Sequence, residues 1–372
     1  MNVAIIVGII AVLFALLYDK DKSKYGLIIA MAITTIFTAI RWEWGNDMHT
    51  YASAFEAYNQ EGIHFWELDK LGNVGVRTER SREILWTLTN ILCQPIGFFG
   101  MTIVLSILQG LAVFWFINRF VPKGYTFFAV FIYCFNPSIL VLGCSMMRQW
   151  TAICIILLSM KYLVEGKLVP YIALVVTASL FHTSALILLL LYLLRNLANA
   201  KINFSHVVIL TFAFIVWVFV IGKRFSGLVS DLVFLDAFEG YSSLLNAQSE
   251  MSSVGFGSLL NIIIALMGFY FTSRLNDRGS HYLAAAYLGF VLLLPFSTSI
   301  VMAGRLLFYF DAISIAVIPL AMRYSKQNLI KNGIFLWVIV FNVFRYFQFF
   351  QSSTWRYYYI DYHTIFESPT WM

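Results

Sequence analysis

Charged side chains are scarce in this sequence: Asp, Glu, Lys and Arg make up 12% of its 372 residues, about half the share found in a soluble globular domain. With 60% hydrophobic residues and a mean hydropathy of +0.78, that shortage excludes both a water-soluble fold and a polar disordered chain. Proline (7) and cysteine (4) are few as well. The proline count excludes a proline-rich linker, and four cysteines with no CxxC pair and no His/Cys ligand spacing exclude a zinc site. Cys93, Cys134 and Cys154 fall in apolar runs and Cys144 at the edge of one, so all four read as small packing residues. The phosphate loop GxxxxGK[ST], the elbow GxSxG and the zinc motif HExxH are missing too, which argues against an ATPase, a serine hydrolase and a zinc protease. Nothing in the pattern asks for a cofactor or a metal. Ten-residue alternation of apolar and polar positions is also lacking, so the chain is no membrane barrel.

What is present is a succession of apolar runs. A helix rising about 1.5 Å per residue needs roughly 20 apolar residues to cross a hydrocarbon core of about 30 Å. Such runs lie at Val3–Leu17, Tyr25–Ile40, Phe98–Ile117, Tyr125–Leu142, Trp150–Val164, Leu168–Leu180, Ser184–Leu194, Val207–Gly222, Gly257–Thr272, Tyr282–Ile300, Leu306–Met322 and Gly333–Phe349. The chain therefore reads as an all-α polytopic membrane protein, a single integral membrane domain over 1–372 with about twelve transmembrane or re-entrant helices. The first run has no basic residue before it and no small-residue cleavage site after it, and so reads as a retained helix. Glu83–Gln94, stopped by Pro95, is too short to span and reads as a half-helix that returns to its own face. Leu168–Leu194 reads as a hairpin with His182 near its outer turn.

Placing Lys20, Lys22 and Lys24 on the cytoplasmic side and alternating from there puts 14 of the 25 basic residues, and only four acidic ones, in the inner connections. The basic isoelectric point near 9.0 is thus a positive-inside membrane topology and not a nucleic-acid signal. The long polar loops, 41–82 and 223–256, then face outward. In the second, Leu228, Leu232 and Leu235 recur at helical spacing among Asp231, Asp236 and Glu239, the pattern of a short amphipathic helix lying on the membrane. A transporter usually shows a repeat between halves, and none is visible.

The polar residues at the outer edge are the candidates for chemistry, because charge at a membrane is costly. Asp47 precedes Tyr51, Phe55 and Tyr58, whose spacing predicts one face of a helix that begins near Asp47. Arg148, between Met147 and Gln149, opens an apolar helix, and a guanidinium beside free helix amides suits a phosphate or diphosphate; a snorkelling arginine is the bland alternative. His182 stands between two apolar stretches, as a base or as a hydrogen-bonded packing residue. Arg305 lies at the rim of a late helix. Asp311 and Arg345 lie deeper and read as a structural ion pair, with Arg345 also open to an anion. Trp42, Trp44, Trp355 and Tyr357 read either as an interfacial belt or as platforms for sugar rings.

Taken in order, Arg41-x-x-x-Gly45-x-Asp47-x-x-x-Tyr51, Glu83 with Trp86, Met147-Arg148-Gln149, Leu180-Phe181-His182-Thr183-Ser184-Ala185 and Gly304-Arg305-Leu306-x-x-Tyr309 resemble the EpsG family. That family belongs among the Wzy-type polymerases of bacterial exopolysaccharide, capsule and O-antigen. The chain departs from it at Glu79-Arg80-Ser81-Arg82, where members often carry Glu followed by Pro or Gly and an aromatic residue. The resemblance implies a GT-C-like architecture in the bacterial cytoplasmic membrane and a metal-independent inverting glycosyltransferase. Its substrates would be undecaprenyl-diphosphate-linked glycans joined at the outer face. Membrane lipids, a chain-length regulator and a flippase would be its partners, with no nucleic acid. On this reading Arg148, Arg305, Arg41 and Arg345 hold diphosphate. His182 is the base, on the near-neutral titration of imidazole, with Asp47 as the alternative. Gln149, Glu83 and Tyr51 support them, and the four aromatic residues named above stack on sugars. A lipid-linked glycan ligase, a flippase or transporter, and an acyltransferase remain rivals.

The topology has a direct test. In a background free of native thiols, single cysteines at Asn73 and Ala247 should react with an impermeant reagent in intact cells and one at Gln327 should not. Labelling at Gln327 with protection at Ala247 would reject the map.

Overall fold

A computed structural model of the chain describes residues 2–60, 83–195, 203–217, 256–272, 274–275, 277–297, 301–324 and 328–367. Apolar segments in lipid must satisfy their backbone hydrogen bonds internally, and here they do so as helices. In chain order these are α1 (Asn2–Asp19), α2 (Gly26–Ala39), α3 (Met48–Gln60), α4 (Ile84–Cys93), α5 (Gly97–Phe120), α6 (Thr126–Phe135), α7 (Leu140–Ser145), α8 (Met147–Glu165) and α9 (Leu168–Ser179). There follow α10 (Leu191–Leu194), α11 (Phe204–Val216), α12 (Phe256–Thr272), α13 (Arg278–Ser297), α14 (Val301–Tyr324), α15 (Asn328–Gln351) and α16 (Ser353–Tyr359). A 3-10 segment, Thr183–Leu190, leads into α10. Two short strands, β1 (Arg41–Trp42) and β2 (His363–Thr364), pair antiparallel with Arg41 opposite Thr364. Among the described residues four stretches are long and apolar enough to cross a membrane, Asn2–Asp19, Ile84–Phe120, Met147–Glu165 and Gly304–Arg323, alongside several shorter apolar helices. The chain is thus a helical membrane protein. The amphipathic helix expected around Leu228, Leu232 and Leu235 lies outside the described residues.

Two compact units are formed, residues 1–189 with 342–372, and residues 190–341. In the first, α1 packs on α2 and α6, α2 on α5, α5 on α8 and α8 on α9. In the second, α12, α13 and α14 pack on one another and α11 on α12.

Three local features of the first unit position the site. The apolar run Tyr125–Leu142 is broken between α6 and α7, because Pro137 lacks an N–H and holds Asn136 extended (ψ 110°). The Asn136 side chain then accepts the Ser138 N–H, and α7 continues to the start of α8. Leu168–Leu194 is a hairpin: the Tyr171 hydroxyl donates to the carbonyl of Leu188, 17 residues on, a contact that one continuous helix could not make. Finally, α4 begins against Leu180 and ends beside α5, where Gln94 donates to the Tyr58 carbonyl (3.1 Å), so both ends of this ten-residue helix stay on one side of the unit.

The opposite end gathers the basic connections. There Asp21 pairs with Lys123 and Glu165 with Lys167. Asp19, at the end of α1, accepts the N–H groups of Gly124 (2.8 Å) and Phe127 (2.7 Å) together with the Thr126 hydroxyl. It thereby caps the first turn of α6 from a neighbouring helix, a place where a carboxylate also meets the positive end of the helix dipole. Loss of such a cap costs about 0.5–2 kcal/mol. Asp19→Ala should therefore lower the unfolding temperature of the detergent-purified protein, and Asp19→Asn should lower it less; an unchanged temperature in both variants would contradict the cap.

Candidate functional site

Helix α8 starts abruptly after Met146, whose side chain makes no cap, so the first amides of the helix are left without an intrahelical acceptor. Arg148 is its second residue. Helix α9 ends at Ser179, and the Phe181 and His182 N–H groups both fold back on the Ala178 carbonyl (3.0 and 2.9 Å). That turn places His182 at the tip of the hairpin. Two residues on, the Leu180 carbonyl is an acceptor that α9 itself cannot fill, and it takes the first amides of α4, Leu85 N–H at 3.0 Å and Trp86 N–H at 3.4 Å. Two helix ends thus satisfy each other, and Glu83, immediately before α4, is fixed beside His182 and Arg148.

The Glu83 carboxylate is the centre. Its Oε2 accepts from Arg148 Nη1 at 2.8 Å, and its Oε1 lies 2.7 Å from His182 Nδ1 and accepts the Thr183 N–H at 3.2 Å. All three side chains keep a little exposure, 14% for Glu83 and 18% for Arg148 and His182, so the cluster is enclosed yet reachable. An imidazole donating from Nδ1 to a carboxylate carries its lone pair on Nε2. Tyr51 completes the group, with the Arg148 guanidinium 5.6 Å from its ring centre, a cation–π distance. Burial pushes the Tyr51 phenol above its ordinary value, and Arg148 pulls against that shift.

Beneath the cluster lies an aromatic and methionine layer contributed by Trp42, Met48, Tyr51, Phe55, Trp86, Phe98, Met101 and Met147. The helix expected to begin near Asp47 is α3, and it buries Tyr51 and Phe55 in this layer. On the other side of Met147, Ser145 donates to the Asn46 side-chain carbonyl and accepts the Asp47 N–H (3.2 Å), while Asp47 accepts from Asn46 Nδ2 (2.8 Å). Gly45 makes that approach feasible: its φ is +124°, and a Cβ there would sit 3.1 Å from Ser145. Its N–H donates to the carbonyl of Tyr358 (3.0 Å).

Comparison with protein families matches one model over residues 4–364, that of the EpsG family. The chain belongs to the EpsG family. Comparison with curated proteins and with solved structures gives no match.

In this EpsG-family chain the residues singled out in the sequence fall into three groups. Arg148, His182, Glu83 and Tyr51 come together as described, with Gln149 buried next to Arg148. A second group does not offer what was expected of it. Arg41 is 2% exposed, and it donates to the Cys144 carbonyl through Nε (3.2 Å) and Nη2 (2.8 Å) and to the Thr38 carbonyl through Nη1. This arginine clamps α2 to the end of α7 in place of facing an anion. Trp44 is fully buried among Phe37, Tyr359 and Tyr362, and Trp42 is buried against Phe99. Neither has an open ring face for a sugar. The third group lies elsewhere: Trp355 stacks on Phe349, Tyr357 is 81% exposed, and Arg345 donates to Ser138 Oγ (3.2 Å). Arg305 is exposed near the start of α14 in the second unit, and Asp311 is buried further along the same helix. Among the described residues no group of three His, Cys, Asp or Glu side chains is placed to hold a metal ion.

Glu83 was readable only as a supporting residue. Its one sequence signal was its place immediately before an apolar half-helix with Trp86 three positions on. Because Arg148 and His182 share this single carboxylate, their effects on stability should not add. Contacting residues in one network couple by about 0.5–3 kcal/mol, so Glu83→Ala with Arg148→Ala should destabilise the protein by less than the sum of the two single changes in denaturation measurements. Strict additivity would reject the shared ion pair.

Proposed function

We propose that this EpsG-family chain is a polysaccharide polymerase of the Wzy type, an inverting glycosyltransferase of GT-C-like architecture. It joins undecaprenyl-diphosphate-linked oligosaccharide units at the outer face of the bacterial cytoplasmic membrane. The observation that carries this reading is the Glu83 carboxylate held between Arg148 and His182. Glycosyl transfer requires a base for the acceptor hydroxyl and positive charge for the departing diphosphate, and the three side chains supply both within one cluster.

The chemistry uses the tautomer that carries its proton on Nδ1, toward Glu83. His182 Nε2 takes the proton of the acceptor sugar's hydroxyl as that oxygen attacks the anomeric carbon of the donor. The bond from that carbon to the diphosphate oxygen breaks on the opposite face, and the bonding electrons leave on the diphosphate. Glu83 steadies the imidazolium that forms, as a carboxylate behind a histidine does in hydrolytic triads. Arg148 and the first amides of α8 receive the negative charge. A guanidinium presents its donors in a planar fork that matches the oxygens of a phosphate. Tyr51 packs against that guanidinium and fixes its angle. Asp47 and Arg41 position the segment that carries α3, and metal is not required. The basic end of the first unit faces the cytoplasm on the positive-inside rule, which turns the Glu83 end outward. A chain-length regulator and a flippase are its expected partners.

Polymerisation by the purified protein, supplied with lipid-linked repeat units alone, is the test. General acid–base groups contribute about 10²–10⁴-fold to rate, so His182→Gln should lose at least a hundredfold while the protein stays folded. Arg148→Lys should recover little, because a point charge does not reproduce the fork. Retention of near wild-type polymer formation by His182→Gln would remove the base assignment, and single-step transfer to a different acceptor without chain growth would make the protein a ligase.

A further inference from the structure

Two cavities run end to end along α1 and α15 in the first unit. One is an open groove of about 340 Å³ lined by apolar side chains and the ring of Tyr346, among them Ile5, Ile9 and Leu13 of α1, Phe131 and Phe135 of α6, and Phe347 of α15. The next turns of the same two helices, Asn2 and Val3 on α1 and Phe350 and Gln351 on α15, line a second cavity of about 700 Å³. Its remaining wall is the tail of the chain, with Arg356, Asp361, Tyr362, His363 and Glu367. An apolar groove therefore lies beside a chamber of mixed apolar and charged lining, on successive turns of the same two helices.

We propose that this pair of cavities binds a polyprenyl-linked glycan, with part of the isoprenoid chain in the groove and the sugars in the chamber. The inference rests on the polymerase reading, which requires two lipid-linked substrates and gives the Glu83 cluster only one leaving group to handle. The occupant must be apolar at one end and polar at the other, since the groove has no polar lining and the chamber has both donors and acceptors. A volume of 700 Å³ falls in the range of about 300–1,000 Å³ that encloses a ligand of several hundred daltons, the size of a short oligosaccharide and more than a phospholipid headgroup fills. The chamber's charge is mixed, with Arg356 and His363 against Asp361 and Glu367. This suits sugar hydroxyls, which both donate and accept, better than a bare phosphate. Glu367 accepts from Thr364 (2.9 Å) and lies 3.1 Å from His363, so that side of the wall is held in place. The wall is also joined to the catalytic segment: β2 pairs with β1, and the Tyr358 carbonyl accepts the Gly45 N–H two residues before Asp47.

The test uses the full chain in phosphatidylglycerol nanodiscs and a C55 polyprenyl diphosphate disaccharide with a diazirine in its isoprenoid chain. Labelled peptides should map to residues 5–13 and 343–347. Ile9→Trp, which fills the groove from an already exposed position, should cut that labelling about tenfold, the equivalent of one fully buried side chain's worth of contact. Asp361→Asn combined with Gln351→Ala should weaken labelling by the glycan probe several-fold and leave labelling by diazirine polyprenyl phosphate unchanged. Labelling confined to other helices, in protein that still polymerises, would overturn the inference alone. Equal groove labelling by a diazirine phosphatidylglycerol would overturn it by making the groove an ordinary lipid contact. Absence of both labelling and polymerisation would remove the polymerase reading as well.

Discussion

The Glu83 carboxylate, held at 2.8 Å by Arg148 and at 2.7 Å by His182, is the interaction on which the functional end of the first unit is built. A carboxylate or a guanidinium taken alone into so enclosed a place would lose much of its hydration, and each is tolerable here because the other is present. The same constraint explains the neighbouring backbone. Three segments must converge on one carboxylate, and each does so by ending or starting a helix there: α4 begins, α8 begins and α9 ends. Their unsatisfied backbone groups are matched to one another, with the Leu180 carbonyl taking the α4 amides and Glu83 taking the Thr183 N–H. The aromatic layer packed against them limits their contact with water, which strengthens such bonds.

Much of this was legible in the sequence where a single segment decides the outcome. The apolar runs marked the helices, the spacing of Tyr51, Phe55 and Tyr58 marked α3, and Met147-Arg148-Gln149 marked the start of α8. The hairpin with His182 near its tip was legible as two short apolar runs on either side of that residue. What could not be read depends on partners far along the chain. Glu83 lies 65 residues from Arg148 and 99 from His182, so its central place has no local signature. Trp44 and Arg41 look like outer-edge residues until β2, from the end of the chain, closes over β1 and the Cys144 carbonyl reaches the guanidinium. The break before Pro137 was visible as a proline, but the apolar stretches on either side of Asn136-Pro137-Ser138 masked its effect.

The fold also separates two physical tasks. One end of the first unit carries lysines and capping carboxylates in short connections. Among the described residues the other carries the Glu83 cluster, whose charges are paired with one another. The proposed joining of lipid-linked sugars fits this division, because it needs little more from a protein than oriented substrates, a base and an anion site.

The central claim is that Glu83 fixes the His182 imidazole with its proton on Nδ1 and its lone pair on Nε2. Solid-state NMR of ¹⁵N-histidine-labelled protein in bilayers reads the tautomer directly, with the His182 signals assigned by their loss in His182→Gln. Above the pH at which the ring protonates, the account predicts an Nδ1–H tautomer in the wild type that reverts toward the Nε2–H form usual for free histidine in Glu83→Gln. An Nε2–H tautomer in the wild type, or one indifferent to the Glu83 substitution, would contradict it.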